Sequence, residues 1–239
     1  MSQLPQNVAE ILETVDVLKL VMQRGRQELH GFSWYMIVWG LYSAINLAAT
    51  VFWNLDLWIW LLFVAFFVTT IPVAGLLWSL VAWGLSGALT YAAWTLSHHG
   101  GLVLLVIVLT ASLSYLGLYH LAIRQGRYRP LPFRVALAPR IGWGWGVVMA
   151  GMALVFGNLA RIVPDPHLGT LSLTLWGYAL GVGLFLSGLL HPGFFLLGVA
   201  AIFGIPLATF ANPLLGTWAF ILIALAMAGF GVYLRLRTA

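Results

Sequence analysis

The chain has 239 residues, of which 62% are hydrophobic and only 7% are charged. Soluble domains carry about 25% charged residues, so these numbers disfavour a water-soluble globular enzyme and favour a protein that crosses a bilayer several times. The net charge is +5, and the absence of cysteine excludes disulfides, thiol catalysis and thiolate metal sites.

The first predicted element is an amphipathic helix over residues 6–29. Its apolar residues recur at steps of three and four, while the charges lie elsewhere on the helical wheel. These apolar residues are Val8, Ile11, Leu12, Val15, Leu18 and Met22. The helix is expected to lie flat on the inner leaflet, or to pack on a partner or on the cytoplasmic ends of the spans. No cleavable signal peptide is predicted, because this region carries acidic residues and has no continuous apolar core.

Four membrane spans are predicted in the first half. Span 1 covers about residues 33–52 and ends at a polar turn, residues 54–56. Residues 57–97 carry no charge and are about twice as long as the 20 residues that one crossing needs, so they are predicted to hold spans 2 and 3. Pro72 and Gly75 mark the turn between them. Span 4 covers about residues 101–123.

The second half is predicted to hold four more spans. Span 5 covers about residues 141–162. Residues 168–211 carry no acid or base other than His191, and they divide at His191, Pro192 and Gly193 into spans 6 and 7. Span 8 covers about residues 214–234. Pro206 is expected to kink span 7 and free a backbone carbonyl.

The basic residues predict the orientation. Ten of the eleven fall into three groups: Lys19, Arg24 and Arg26; Arg124, Arg127, Arg129, Arg134 and Arg140; Arg235 and Arg237. With eight crossings and a cytoplasmic N-terminus, all three groups lie on the cytoplasmic side, in accord with the positive-inside rule. Contact with anionic lipid or an acidic partner is the alternative explanation. The prediction is a multi-pass protein of the inner (plasma) membrane, and no nucleic-acid role is expected.

Either the two halves are copies of one four-helix unit, or their matches arise by chance in a chain with 26 glycines and 12 tryptophans. Gly31, Trp34 and Gly40 match Gly142, Trp145 and Gly151 at one offset, while Pro72 and Gly84 match Pro192 and Gly204, and Gly117 and Tyr119 match Gly231 and Tyr233, at others. Such a repeat would be parallel, and a groove between its units would be the default ligand or partner site. The chain is accordingly divided into an amphipathic helix (1–30), a first unit (31–123), a basic linker (124–140) and a second unit (141–239).

No catalytic residue and no cofactor is predicted. No Asp, Glu or Lys lies in the middle of a predicted span, which argues against proton-coupled antiporters, pumps and retinal proteins. Histidine is the remaining candidate for haem or metal ligation. The candidates are His98, His99, His120 and His191. No HxxxH or HExxH spacing supports them, so interfacial histidines without a metal are preferred.

Four residues within spans are candidate ligand contacts. Trp39 and Trp83 lie deep in spans 1 and 3 and would line an apolar cavity or fill helix contacts. Asn46 and Asn158 lie in spans 1 and 5, where each is expected to bond to a neighbouring helix or to a polar ligand. The small-residue pairs Gly142/Gly146 and Gly177/Gly181 allow close helix packing, within the chain or in a homo-oligomer.

Two classes of function follow from these patterns. The first is a non-enzymatic membrane subunit, scaffold or sensor that binds a protein or lipid partner. The second is a transporter or permease for an uncharged or amphipathic solute. A haem- or quinone-binding redox subunit is a further alternative that depends on the histidines alone.

Overall fold

A computed structural model of the chain describes residues 6–55, 57–97, 100–127, 137–159, 162 and 165–238. These residues form eight helices and no strand: α1 (Gln6–Trp53), α2 (Trp58–Ala74), α3 (Leu76–Ser97), α4 (Gly100–Arg124), α5 (Leu137–Leu159), α6 (Asp165–Ser187), α7 (Pro192–Ala211) and α8 (Pro213–Thr238). The predicted all-α membrane fold is confirmed.

Six of the helices are long and apolar enough to cross a membrane, by length and composition. They are α3, α4, α6, α7, α8 and the part of α1 from Gly25 to Trp53. Helix α2 is apolar but has only 17 residues, and α5 is not among the six. The protein is therefore multi-pass, while the count of eight crossings stays a prediction.

The helices are separated at the turns that the glycine and proline residues predicted. Gly75 ends α2 with a φ of +87°, a left-handed conformation that glycine adopts without steric cost. Pro192 is the first residue of α7, where its missing N–H costs no helical hydrogen bond. Asn212 and Pro213 separate α7 from α8 in the same way.

The predicted amphipathic helix and span 1 form one continuous helix of 48 residues. Nothing in residues 25–33 breaks it, because Gly25 and Gly31 each cost only about 1 kcal/mol relative to alanine and no proline is present. The sequence change at this point therefore marks a change of surroundings and not an end of the helix.

The helices pack as two groups, and these groups do not coincide with the two predicted halves. Helix α1 packs most extensively on α8, and α6 and α7 join them around a core that includes Met36, Leu184, Phe194 and Met227. Helices α2, α3 and α4 enclose a second core around Trp83. The last helix of the second half therefore lies against the first helix of the first half.

Glycine makes the close approach of α1 and α8 possible. A Cβ added at Gly40 would lie 2.6 Å from the carbonyl oxygen of Ala224, and one added at Gly231 would lie 2.8 Å from the carbonyl oxygen of Ser33. The offset-matched Gly151 and Gly117 have no such neighbour within 4 Å. The matched glycines thus have different surroundings in the two halves.

Three contacts bring basic segments to one end of the bundle. His30 Nδ1 lies 3.1 Å from Thr238 Oγ1, which joins α1 to the end of α8. The backbone N–H of Leu137 donates to Glu28 Oε2 at 3.2 Å, and Arg127 Nη1 donates to the carbonyl of Ala74 at 2.9 Å. We call this the basic end; its described arginines are Arg124, Arg127, Arg140, Arg235 and Arg237.

Candidate functional site

An aromatic cluster joins the first four helices. Trp39 of α1 contacts Phe66 of α2 edge-on, with ring centroids 5.2 Å apart. Phe66 stacks on Trp83 of α3 at 4.7 Å and 11°, and Trp83 meets Tyr115 of α4 at 5.1 Å. The two tryptophans predicted as ligand contacts therefore belong to one cluster, with Phe66 between them.

Threonines on α2 satisfy the polar atoms of this cluster. The indole Nε1 of Trp83 donates to Thr70 Oγ1 at 2.8 Å. Thr69 Oγ1 and the Tyr115 hydroxyl are 3.1 Å apart. The polar atoms of Trp83 and Tyr115 thus each have a fixed partner, as buried tryptophan and tyrosine require. The cluster connects the four helices through ring contacts, and its one phenol is that of Tyr115.

Helix α3 carries a buried polar stripe at helical spacing: Ser79, Trp83, Ser86 and Thr90. Ser86 Oγ bonds across to Ser114 Oγ of α4 at 2.7 Å. Ser79 Oγ and Thr90 Oγ1 are buried and have no hydrogen-bond partner among the described residues. Buried hydroxyls without partners cost free energy, so they are natural positions for a water molecule or a polar ligand group.

The two predicted asparagines differ in their surroundings. Asn46 is half-buried, and its Oδ1 is buried without a hydrogen-bond partner among the described residues. Asn158 is exposed, and its Nδ2 donates to the carbonyl of Leu154 in its own helix at 2.9 Å, not to a neighbouring helix as expected. Within the described ranges α5 contacts α1 and α4 but not α2 or α3, and the hydrogen bond seen for Asn158 stays within its own helix and does not reach the aromatic cluster.

The histidine candidates are not gathered by the fold. His98 and His99 lie outside the described residues. His120 is exposed on α4. His191 caps α7, where its Nδ1 accepts from the backbone N–H of Gly193 at 3.1 Å, and its ring lies 5.1 Å from that of Phe230. Helices α4 and α7 have no contact in the described part of the chain, so packing does not pair His120 with His191.

Haem or metal binding at these histidines stays a prediction. Among the described residues no three His, Asp or Glu side chains lie close enough to hold one metal ion.

Two arginines at the basic end lie over aromatic rings. The guanidinium of Arg235 is 5.1 Å from the ring centroid of Trp34, and that of Arg237 is 5.0 Å from the ring of Tyr233. Such cation–π contacts hold the positive charge in place without neutralising it. Trp34 is itself fixed, because its Nε1 donates to the carbonyl of Val68 at 3.1 Å.

Several members of these groups were not predicted. Phe66, Thr70 and Tyr115 lie in uniformly apolar spans, where no pattern shows which face meets which helix. The α3 stripe carries a usable signal, since positions 79, 83, 86 and 90 follow steps of four, three and four residues.

Known proteins add no assignment to this geometry. No family model matches the chain, and no match was found among curated proteins or solved structures.

Proposed function

We propose that the protein is a non-enzymatic membrane component that binds a protein partner through the projecting part of α1. The observation that carries the proposal is the length of this helix. The contact between His30 and Thr238 marks where the described part of α8 ends, yet α1 begins at Gln6. At 1.5 Å per residue, residues 6–29 extend the helix by about 36 Å beyond that point.

The continuity of α1 favours a protein partner over the lipid surface. A helix lying in the interface plane must turn sharply away from a membrane-spanning segment. Here one helix runs through both segments without a break. Its apolar positions would then stand in water, where Val15 is 38% exposed, and a partner that covers them would gain their burial.

The orientation follows from charge. We place the basic end and both termini in the cytoplasm and the eight helices in the inner (plasma) membrane. The supporting observation is that Arg127, Arg140, Arg235 and Arg237 lie at the same end of the bundle as the projecting helix. The positive-inside rule then assigns that end to the cytoplasm.

The test is purification of the tagged full chain from its native membrane in mild detergent. We expect one protein to co-purify at constant stoichiometry, and to be lost when Val15 is changed to Asp. Gln27→Asp is the matched control, because Gln27 is exposed on the same helix. A complex that survives Val15→Asp, or a chain that purifies alone from its native membrane, contradicts the proposal.

Transport of an uncharged or amphipathic solute is the second candidate. It is favoured by the buried atoms without partners, Asn46 Oδ1, Ser79 Oγ and Thr90 Oγ1. Polar atoms of this kind inside a membrane helix bundle are typical of a route for polar solutes. Proteoliposome swelling in glycerol and in urea tests it. Swelling should exceed that of empty liposomes and fall with Thr90→Val; equal rates with and without protein would exclude these solutes.

A further inference from the structure

The face of α1 that packs on α8 can be followed residue by residue. Gly40 lies against Ala224 and Ala228, while Ser33 and Ile37 lie against Gly231. Met36, between them, is 3% exposed. These contacts define one side of α1 over the length of the bundle.

The sequence continues this side past the described end of α8. An interval of 18 residues is about five helical turns, so two residues at that interval occupy the same side of a helix. Eighteen residues before Leu29, Ser33, Met36 and Gly40 the chain has Ile11, Val15, Leu18 and Met22. The apolar series of the amphipathic segment is therefore in register with the α8-binding side, and Val15, whose exposure is described, is open to solvent.

The bundle end beside this side is positively charged. Arg237 is exposed there, at the end of α8, and Arg235 lies against Trp34. The acidic Glu28 is engaged by the backbone N–H of Leu137. Residues 11–29 provide a wall about 27 Å long, and the arginines provide a floor at its base.

Resting on the proposed partner-binding function, we propose that this wall and floor bind an amphipathic helix of a water-soluble protein, with apolar residues toward α1 and acidic residues toward the arginines. Charge complementarity determines the class of partner. A helix of about five turns matches the length of the wall, and apolar positions at steps of three and four would pack against it.

A second copy of the chain fits this side of α1 poorly. Two copies in one bilayer would carry parallel α1 helices, and the side in question lies directly above α8 of the same chain. A second span continuing from a helix docked there would occupy the position of α8. The occupant is therefore expected to end at the basic end rather than to enter the membrane.

The probe is a fluorescein-labelled synthetic 21-residue helix with Leu at the a and d positions of each heptad and Glu elsewhere. A peptide with Lys in place of Glu is its matched comparison. The full chain is placed in phosphatidylcholine nanodiscs, and binding is followed by fluorescence anisotropy. We expect the acidic peptide to bind, the basic peptide not to bind, and added salt to weaken the complex.

Three variants test the wall, the floor and the side of α1 that faces away from α8. Val15→Asp should raise the Kd of the acidic peptide by about tenfold or more, since it places a carboxylate in the apolar contact. Arg237→Gln, at the exposed end of α8, should weaken binding several-fold and reduce its salt dependence. Gln27→Asp is the control, because 18 residues later Ile45 is 51% exposed, which places Gln27 away from α8.

Equal binding of the two peptides, an unchanged affinity in Val15→Asp, or no binding of the acidic peptide overturns the inference. A spin label on Val15→Cys that reports lipid contact also overturns it. The proposed function fails separately: it survives if a native partner is lost with Val15→Asp although the acidic peptide does not bind. Unfolding temperatures of all variants, measured alongside, show whether each loss is local.

Discussion

Trp34 and Trp145, 111 residues apart, each donate an indole N–H to the second helix of their own half. Trp34 Nε1 bonds to the Val68 carbonyl of α2 at 3.1 Å, and Trp145 Nε1 bonds to Ser187 Oγ of α6 at 2.9 Å. The two bonds differ in their acceptors, a backbone carbonyl and a side-chain hydroxyl, and the duplication stays a prediction. The glycines at the same offset differ in their surroundings, because Gly40 packs on α8 and nothing lies within 4 Å of a Cβ added at Gly151.

The glycine pair gives a direct prediction about stability. Gly40→Ala should lower the free energy of unfolding by about 1–3 kcal/mol, because the new Cβ would meet backbone atoms of Ala224 and Ala228. Gly151→Ala should be neutral or stabilise by up to about 1 kcal/mol, since nothing lies within 4 Å and alanine favours the helix. Thermal unfolding in detergent compares them, and equal changes would contradict the α1–α8 packing.

The hydrogen bond of Trp83 gives a second prediction. Trp83→Phe keeps an aromatic ring near Phe66 but removes the bond to Thr70 and part of the ring volume, so it should destabilise the protein by about 1–3 kcal/mol. Trp78→Phe is the control, because Trp78 is 44% exposed on the same helix. The unfolding temperature should fall for the first change only; a similar fall for both would argue against a special role for the cluster.

The turn between α2 and α3 gives a third prediction. Gly75→Ala places a side chain at a φ of +87° and beside the guanidinium of Arg127, so the cost should be about 1–2 kcal/mol. Gly84→Ala, in open space on α3, should not destabilise. Unfolding temperatures measure both. A tolerated Gly75→Ala would show that this turn adopts another conformation.

The topology is testable because the chain has no cysteine of its own. Gln125→Cys at the basic end should react with an impermeant maleimide only after the membrane is opened. Asn212→Cys, in the exposed turn between α7 and α8, should react in intact cells. Reaction of Gln125→Cys in intact cells would place the basic end outside and remove the proposed cytoplasmic partner.

The positions of the turns were predictable because they depend on local chemistry. Gly75 and Pro192 divide two long apolar stretches at the residues where the helices end. Glycine and proline act there through their own backbone geometry, whatever surrounds them. Composition likewise predicted the membrane class, since lipid removes the need for a charged surface.

The lateral contacts were not predictable from the same patterns. In a span that is apolar on every side, no hydrophobic face indicates which neighbour it meets, so the role of Phe66 and the pairing of α1 with α8 could not be predicted. The continuity of α1 was missed for another reason. The polarity of the sequence reports what surrounds a helix, and the backbone continues through the boundary.

The unbroken α1 also has a mechanical consequence. A helix without a break transmits a tilt along its length, and the contact of His30 with Thr238 is the point where α1 leaves α8. Residues 6–29, outside the bundle, and residues 30–53, within it, are of equal length, about 36 Å each. A small tilt of residues 6–29 would therefore also move Trp39 and Gly40, which connect α1 to the aromatic cluster and to α8.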